Sequence, residues 1–262
     1  MERLNQFKAE AIIFDKDGTL IDFDLMWGGW TVFLAQQLNQ ASGLDVHKSL
    51  CLAMGYDEET KKVLAHGKLA ASPMSLLYQL TVEVMQSLGL SHEAAEQVVK
   101  DCWCIPDPVL LAKPYTNLRD LFGKLQNENI KIAIATADDR AATQAMIEAF
   151  DIEEYILTMV CADDGIPTKP NADMVLEICK RIDIDPSKAM VIGDTVSDLK
   201  MARAAGAGLC VGVLSGVSNA RDLAQYADVL IQSVDELHAY IQELTNQESV
   251  QNKNGFNPDF AF

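Results

Sequence analysis

The sequence predicts an α/β fold, a Rossmann-like parallel sheet core with helices on both faces, plus an inserted all-helical domain. Three observations predict it. Short apolar runs, the first being Ala11-Ile12-Ile13-Phe14, read as strands buried on both faces. From residue 115 onward such runs alternate with segments of helical period, which implies crossover connections. Residues 24–111, by contrast, carry helical periodicity and no convincing strand.

In chain order, the strand at 11–14 ends in Asp15-Lys16-Asp17-Gly18-Thr19-Leu20, where Gly18 marks a turn. Helices follow at 27–40, 46–54, 74–88 and 92–102. Ser72-Pro73 has the form of an N-cap with proline in the first turn, and Gly89 that of a helix stop. Ile21-Asp22-Phe23 reads as the crossing out of the sheet, and Ile105-Pro106-Asp107-Pro108 with Lys113-Pro114 as the crossing back. A helix at 117–126 precedes a strand at 130–135, and a helix at 141–150 precedes a strand at 155–161. Asn171 is placed to cap a helix over 172–182. A strand at 189–192 stops at Gly193-Asp194, and a helix over 199–205 ends at Gly206. Strands at 209–214 and 228–231 and a helix at 234–244 complete the pattern. The domains expected are a core of 1–22 and 113–245, a helical domain of 23–112, and a poorly ordered tail over 246–262, rich in Asn and Gln.

At 262 residues with 49% hydrophobic content, the chain is long enough for a substantial core. A net charge of −17 argues against nucleic acid and anionic membranes as partners, because both bind through Lys and Arg. It leaves a small-molecule partner open, since a bound divalent cation inverts the local field of a site. No apolar run reaches the length of a membrane span, and the first residues lack a secretory pattern. The six cysteines sit mostly in apolar stretches, and Cys102-Trp103-Cys104 without a second cluster is a poor zinc signal. The expectation is a soluble protein of a reducing cytoplasm, monomer or homodimer.

Four strand ends carry reactive residues. Asp15 and Asp17, two apart in extended backbone, point the same way off the first strand. Such a pair beside a Gly-Thr turn can hold a hard cation and attack phosphorus. Thr136 ends the strand at 130–135, Lys169 lies just before a helix, and Asp194 and Asp198 follow the strand at 189–192. Taken singly, each has a plain structural reading as a turn, cap or surface residue. Together, at successive strand ends, they converge, because ligands of an open α/β sheet bind outside the strands' carboxyl ends. Other candidates weigh less. Gly206-Ala207-Gly208 precedes a strand and is no dinucleotide fingerprint. His47, His66, His92 and His238 are scattered over helical segments. Trp27 and Trp30 read first as packing residues, with Trp27 or Phe23 as second-choice pocket lining, and Arg140 reads equally as a residue near the site or a solvated helix residue.

The chain closely resembles the haloacid dehalogenase-like hydrolase superfamily over about residues 9–233. Asp15 to Thr19 matches its Asp-x-Asp-Gly-Thr motif, Thr136 its strand-ending Ser or Thr, Lys169 its lysine, and Gly193 to Asp198 its Gly-Asp-x-x-x-Asp motif. The helical block stands where the family's phosphatases of small metabolites, phosphoglycolate phosphatases among them, carry a mobile cap. The resemblance implies Asp15 as nucleophile, forming an aspartyl-phosphate, and Asp17 as acid/base. It implies Mg²⁺ on the Asp15 carboxylate, the Asp17 carbonyl and Asp194. Asp198 would orient a water or Lys169, while Thr136, Lys169 and the amides of Lys16 and Ala137 would hold phosphate. Asp17 sets the chain apart from the family's dehalogenases and phosphonate-cleaving members, and the absence of spans sets it apart from the ion pumps. The expected function is Mg²⁺-dependent hydrolysis of a small phosphomonoester, phosphoglycolate-like or a sugar phosphate. The alternatives are a phosphotransferase or mutase of the β-phosphoglucomutase kind and a non-catalytic phospho-metabolite binding module.

Overall fold

The computed structural model describes residues 2–64, 67–72, 74–104 and 111–254. Helix α1 (Glu2–Gln6) precedes β1 (Ala11–Phe14), and a π-helical turn over Asp24–Gly28 runs into α2 (Gly29–Ser42). Next come α3 (His47–Met54), β2 (Tyr56–Asp57), β3 (Lys62–Val63), α4 (Lys68–Ala71), α5 (Met74–Ser87) and α6 (His92–Cys102). The chain then alternates through α7 (Leu118–Asn127), β4 (Lys131–Ala135), α8 (Arg140–Ala149), β5 (Ile156–Val160) and α9 (Asp173–Arg181). It closes with β6 (Ala189–Gly193), α10 (Val196–Ala205), β7 (Leu209–Val213), α11 (Ala220–Leu223), β8 (Val229–Ile231) and α12 (Leu237–Asn254).

Six strands form one parallel sheet in the order β5-β4-β1-β6-β7-β8. The chain builds outward from β1 to one edge, then returns and builds to the other, so the order reverses beside β1 and opens a crevice there. Alternation along each strand feeds two cores. Ile12, Phe14, Ile132, Ile134, Met190 and Ile192 face α7, α8 and α12. Ala11, Ile13, Ala133, Ala135, Ala189 and Val191 face α9 and α10.

The described residues between the π-helical turn and Leu111 pack around a third cluster, with Trp30, Leu34, Leu38, Leu50, Met54, Leu77 and Met85 at its centre. An aromatic ladder runs through it from Phe23 to Trp27, Trp30, Trp103 and Tyr78, with ring centroids 5.1–5.9 Å apart. The outgoing and returning chains lie side by side: Asp22 N–H donates to the Lys113 carbonyl at 2.8 Å, and Tyr115 N–H to Leu20 at 3.1 Å.

Four expectations need correction. Residues 24–111 do contain strands, the two-residue antiparallel pair β2–β3. These are too short to register as alternation. Asn171 is not an N-cap: α9 starts at Asp173 after Ala172, and the Asn171 amide instead donates to the Thr168 carbonyl at 2.8 Å. α10 starts at Val196, a turn early, because Thr195 and Asp198 form a capping box. The last helix, α12, runs from Leu237 to Asn254, past the end expected at 244. The readings of His66, of Pro73, of the 105–108 crossing and of 255–262 lie outside the described residues.

Candidate active site

The sheet ladder carries past the ends of β1 and β4, with Asp15 N–H donating to Ile192 (2.9 Å) and Thr136 N–H to Val160 (3.0 Å). The backbone of both residues is therefore fixed by the sheet itself, at the reversal of strand order. The next residues fold into a closed turn: Leu20 and Ile21 N–H donate to the Lys16 carbonyl and Gly18 N–H to Ile21. Gly18 takes φ +86°, and a Cβ there would stand 2.5 Å from Asp194 Oδ2, so the turn requires glycine twice over.

Lys169, in the loop between β5 and α9, joins two of these elements. Its Nζ lies 2.5 Å from Asp15 Oδ1 and 2.6 Å from Asp198 Oδ1, with only 6% of the side chain exposed. Asp198 is fixed from its other oxygen, Oδ2, which accepts from Thr195 N–H (2.9 Å) and Oγ1 (2.6 Å). Asp194, after β6, is fully buried and has neutral donors, Val217 N–H at 2.9 Å and Thr19 Oγ1 at 3.5 Å. Thr136 is buried, with its Oγ1 accepting from Asp138 N–H (3.1 Å), while Ala137 is exposed at the loop's tip.

The structure thus gathers Asp15, Asp194, Asp198 and Lys169 directly. One carboxylate oxygen from each of the three aspartates lies within 4.8 Å of the other two. Asp17 turns elsewhere: its carboxylate meets the fully buried Lys16, whose Nζ also lies 2.8 Å from Asp138. Five carboxylates (Asp15, Asp17, Asp138, Asp194, Asp198) face two ammonium groups (Lys16, Lys169), an excess of three negative charges.

The proton affinities register this crowding. Burial pushes the Asp15 carboxyl up to about 6 against the opposing pull of Lys169. Burial also raises Asp17, with Lys16 pulling the other way, and together with Asp15 and Asp198 it holds Asp194 well above the usual carboxylate range. Burial alone would lower Lys16 and Lys169, but the carboxylates at each outweigh it and raise both. A hard divalent cation fits this donor set. Asp15 and Asp194 offer hard oxygens within reach of one another, and Asp194 has no cationic partner among the described residues.

Sequence reasoning missed several contributors. Gly216, just past β7, approaches so closely that a Cβ would stand 2.0 Å from Asp194 Oδ2. Ser215 Oγ donates to the Gly18 carbonyl at 2.8 Å, and Tyr115 OH donates to the Ser215 carbonyl at 2.6 Å. The same strand-end rule that selects Asp194 would have selected the residues after β7. The Arg140 guanidinium is engaged by Asp164 and by the Met159 carbonyl.

A sequence profile described as haloacid dehalogenase-like hydrolase matches residues 9–206. The chain is similar to a phosphorylated carbohydrates phosphatase of Thermotoga maritima, 23% identical over 239 residues, covering 90% of this chain and 99% of that one. It is also similar to the phosphoglycolate phosphatase of Escherichia coli, 30% identical over 143 residues, covering 53% of this chain and 55% of the relative. Among solved structures, a HAD-superfamily hydrolase of Geobacter sulfurreducens superposes with a TM-score of 0.63 at 16% identity, over 90% of this chain and 99% of the other.

Proposed function

The chain belongs to the haloacid dehalogenase-like hydrolase family, and from that premise we propose that it is a Mg²⁺-dependent phosphatase of a small phosphomonoester. Sugar phosphates and phosphoglycolate are the leading substrate classes, because relatives named for phosphorylated carbohydrates and for phosphoglycolate align with it. One observation carries the reading: Asp15 at the end of β1 is held by Lys169, while Asp194 stands beside it with no cationic side chain against it among the described residues.

In this mechanism an Asp15 carboxylate oxygen attacks phosphorus, and the bond from phosphorus to the substrate oxygen breaks. Asp17 delivers a proton to the departing alkoxide. Water then attacks the aspartyl-phosphate, Asp17 takes its proton, and the bond between Asp15 and phosphorus breaks to free phosphate and the resting carboxylate. Thr136 Oγ1, Lys169 Nζ and the amides of Lys16 and Ala137 bind the equatorial oxygens, where positioning and charge do most of the catalysis. The Asp15 and Asp194 carboxylates, with the Asp17 carbonyl, would hold Mg²⁺, which would supply charge neutralisation for a phosphate dianion. Asp198 keeps Lys169 aimed at Asp15. Residues 23–112 act as a cap over the site, the paired crossings at Asp22 and Lys113 serving as its hinge.

All six cysteines are free thiols, in keeping with a reducing cytoplasm, and among the described residues no helix is long and apolar enough to cross a membrane. The test is phosphate release from a panel of phosphorylated metabolites with Mg²⁺. Turnover should vanish with EDTA and in Asp15→Asn, with the circular dichroism spectrum unchanged. Retained activity in Asp15→Asn would remove Asp15 as nucleophile. An isomerised sugar phosphate with little free phosphate would identify a mutase instead.

A further inference from the structure

The phosphatase reading uses only the backbone amide of Lys16, yet its side chain is among the largest fully buried ones in the molecule. An ammonium withdrawn from water costs several kcal/mol unless it is paired. Lys16 Nζ lies 3.0 Å from Asp17 Oδ1, 2.9 Å from Asp17 Oδ2 and 2.8 Å from Asp138 Oδ2. It therefore bridges the turn after β1 and the loop after β4. Asp138 is anchored in its turn. Its N–H donates to Thr136 Oγ1, its Oδ1 accepts from Asp139 N–H at 2.8 Å, and its carbonyl accepts from Ala162 N–H at 3.0 Å. Among the described residues no other side chain donates to the Asp17 carboxylate.

We infer that Lys16 is a positioning residue for the acid/base: held by Asp138, its ammonium fixes the Asp17 carboxyl toward the leaving oxygen. The inference rests on the phosphatase reading above. Contact with both Asp17 oxygens fixes the plane of the carboxylate. When one oxygen carries the proton, the other still accepts from Lys16, and Asp138 still balances the ammonium's charge. Without this bridge, no side chain among the described residues fixes the rotamer of the Asp17 carboxyl. The same bridge ties the acid/base to the Thr136-Ala137 loop, so the proton donor and the phosphate share one frame.

Protonation matters only when the leaving group needs it. An alkoxide does; 4-nitrophenolate departs without it. Because Asp17 also activates the water that opens the aspartyl-phosphate common to both esters, the readout is kcat/KM, which reports only the steps up to departure of the leaving group. For Lys16→Met we expect kcat/KM on glycerol phosphate to fall about 100-fold, within the range for general acid catalysis, and kcat/KM on 4-nitrophenyl phosphate to fall less than about tenfold. Asp138→Asn, which keeps the buried lysine and loosens its anchor, should show the same selectivity at smaller size, about threefold to tenfold on glycerol phosphate. It also serves if Lys16→Met does not fold. Equal losses on both substrates, or none on either, would overturn the inference, since a merely structural lysine has no reason to distinguish leaving groups. If the wild-type chain hydrolyses neither ester, the phosphatase reading fails and the inference falls with it. That result is separate from a wild type that turns over both esters with variants that lose both alike.

Discussion

At the scale of single residues, the seat of Asp194 is made by what its neighbours lack. Gly18 and Gly216 bracket its Oδ2, and a Cβ on either would penetrate the carboxylate, at 2.5 and 2.0 Å. Gly216→Ala therefore has to displace Asp194 or the turn that carries Val217 N–H to it. We expect the Mg²⁺ concentration for half-maximal rate to rise at least tenfold with the fold retained, which metal titration of the rate and circular dichroism would check. Unchanged metal dependence would show that Asp194 has room to yield. The residues that a strand-end rule selects by chemical type (Asp15, Thr136, Lys169, Asp194 and Asp198) were legible in the sequence. Gly216, Asp138 and the Lys16 side chain were not, because their meaning lies in a partner 22 to more than 100 positions away. A lysine between two aspartates reads locally as a solvated charge, and only the return of β4 beside β1 encloses it.

Among the secondary elements, α10 couples helix capping to the site. Asp198 is both the third helical residue, accepting from Thr195, and the partner of Lys169. In Thr195→Ala the hydroxyl leaves Asp198 N–H without its cap and Asp198 Oδ2 without one donor. A lost N-cap costs about 1 kcal/mol, or about 2–4 °C of melting temperature in a chain of this size. We expect that fall in a thermal melt, together with a severalfold loss of kcat as Lys169 loses its fixed support. A melting change with kcat untouched would separate the cap from the site. Helix spans were legible to within a residue or two where periodicity was strong, as at His92–Cys102. The π-helical turn at Asp24–Gly28 was not, since the spacing of Phe23, Trp27 and Trp30 suits an α-helix equally well. Nor was β2–β3, whose place is fixed from outside. Buried Asp24 accepts from Val63 N–H at 2.7 Å and pairs with Lys62, and Tyr56 packs where a Cβ on Gly28 would sit.

For the whole molecule, the buried carboxylates make stability depend on pH in a direction opposite to most acidic groups. Asp15 is raised to about 6 from an unfolded value of 3.8, so between those values the folded chain holds more protons than the unfolded one. The slope of unfolding free energy with pH is then negative, and stability falls as pH rises from about 4 to 6. Asp17 and Asp194, raised by burial, contribute in the same direction. Asp57, Asp120, Asp164, Asp185 and Asp228 are lowered instead; their contribution is present above their unfolded values and is lost as pH falls toward their folded ones. The metal-free chain should accordingly be most stable near pH 4 to 5 and weaken toward neutrality. A net charge of −17 adds self-repulsion of the same sign. Asp194→Asn separates the two causes, because it removes a buried charge while altering the net charge by only one. In thermal melts with EDTA, the wild type should lose melting temperature between pH 5 and 7, and Asp194→Asn should lose less. A ligand bound only by the folded state adds about 2.7 kcal/mol at one hundred times its Kd, so Mg²⁺ should restore the wild type at pH 7 and act weakly at pH 5. Equal slopes for wild type and variant would assign the pH dependence to surface charge and not to the carboxylates around Asp15.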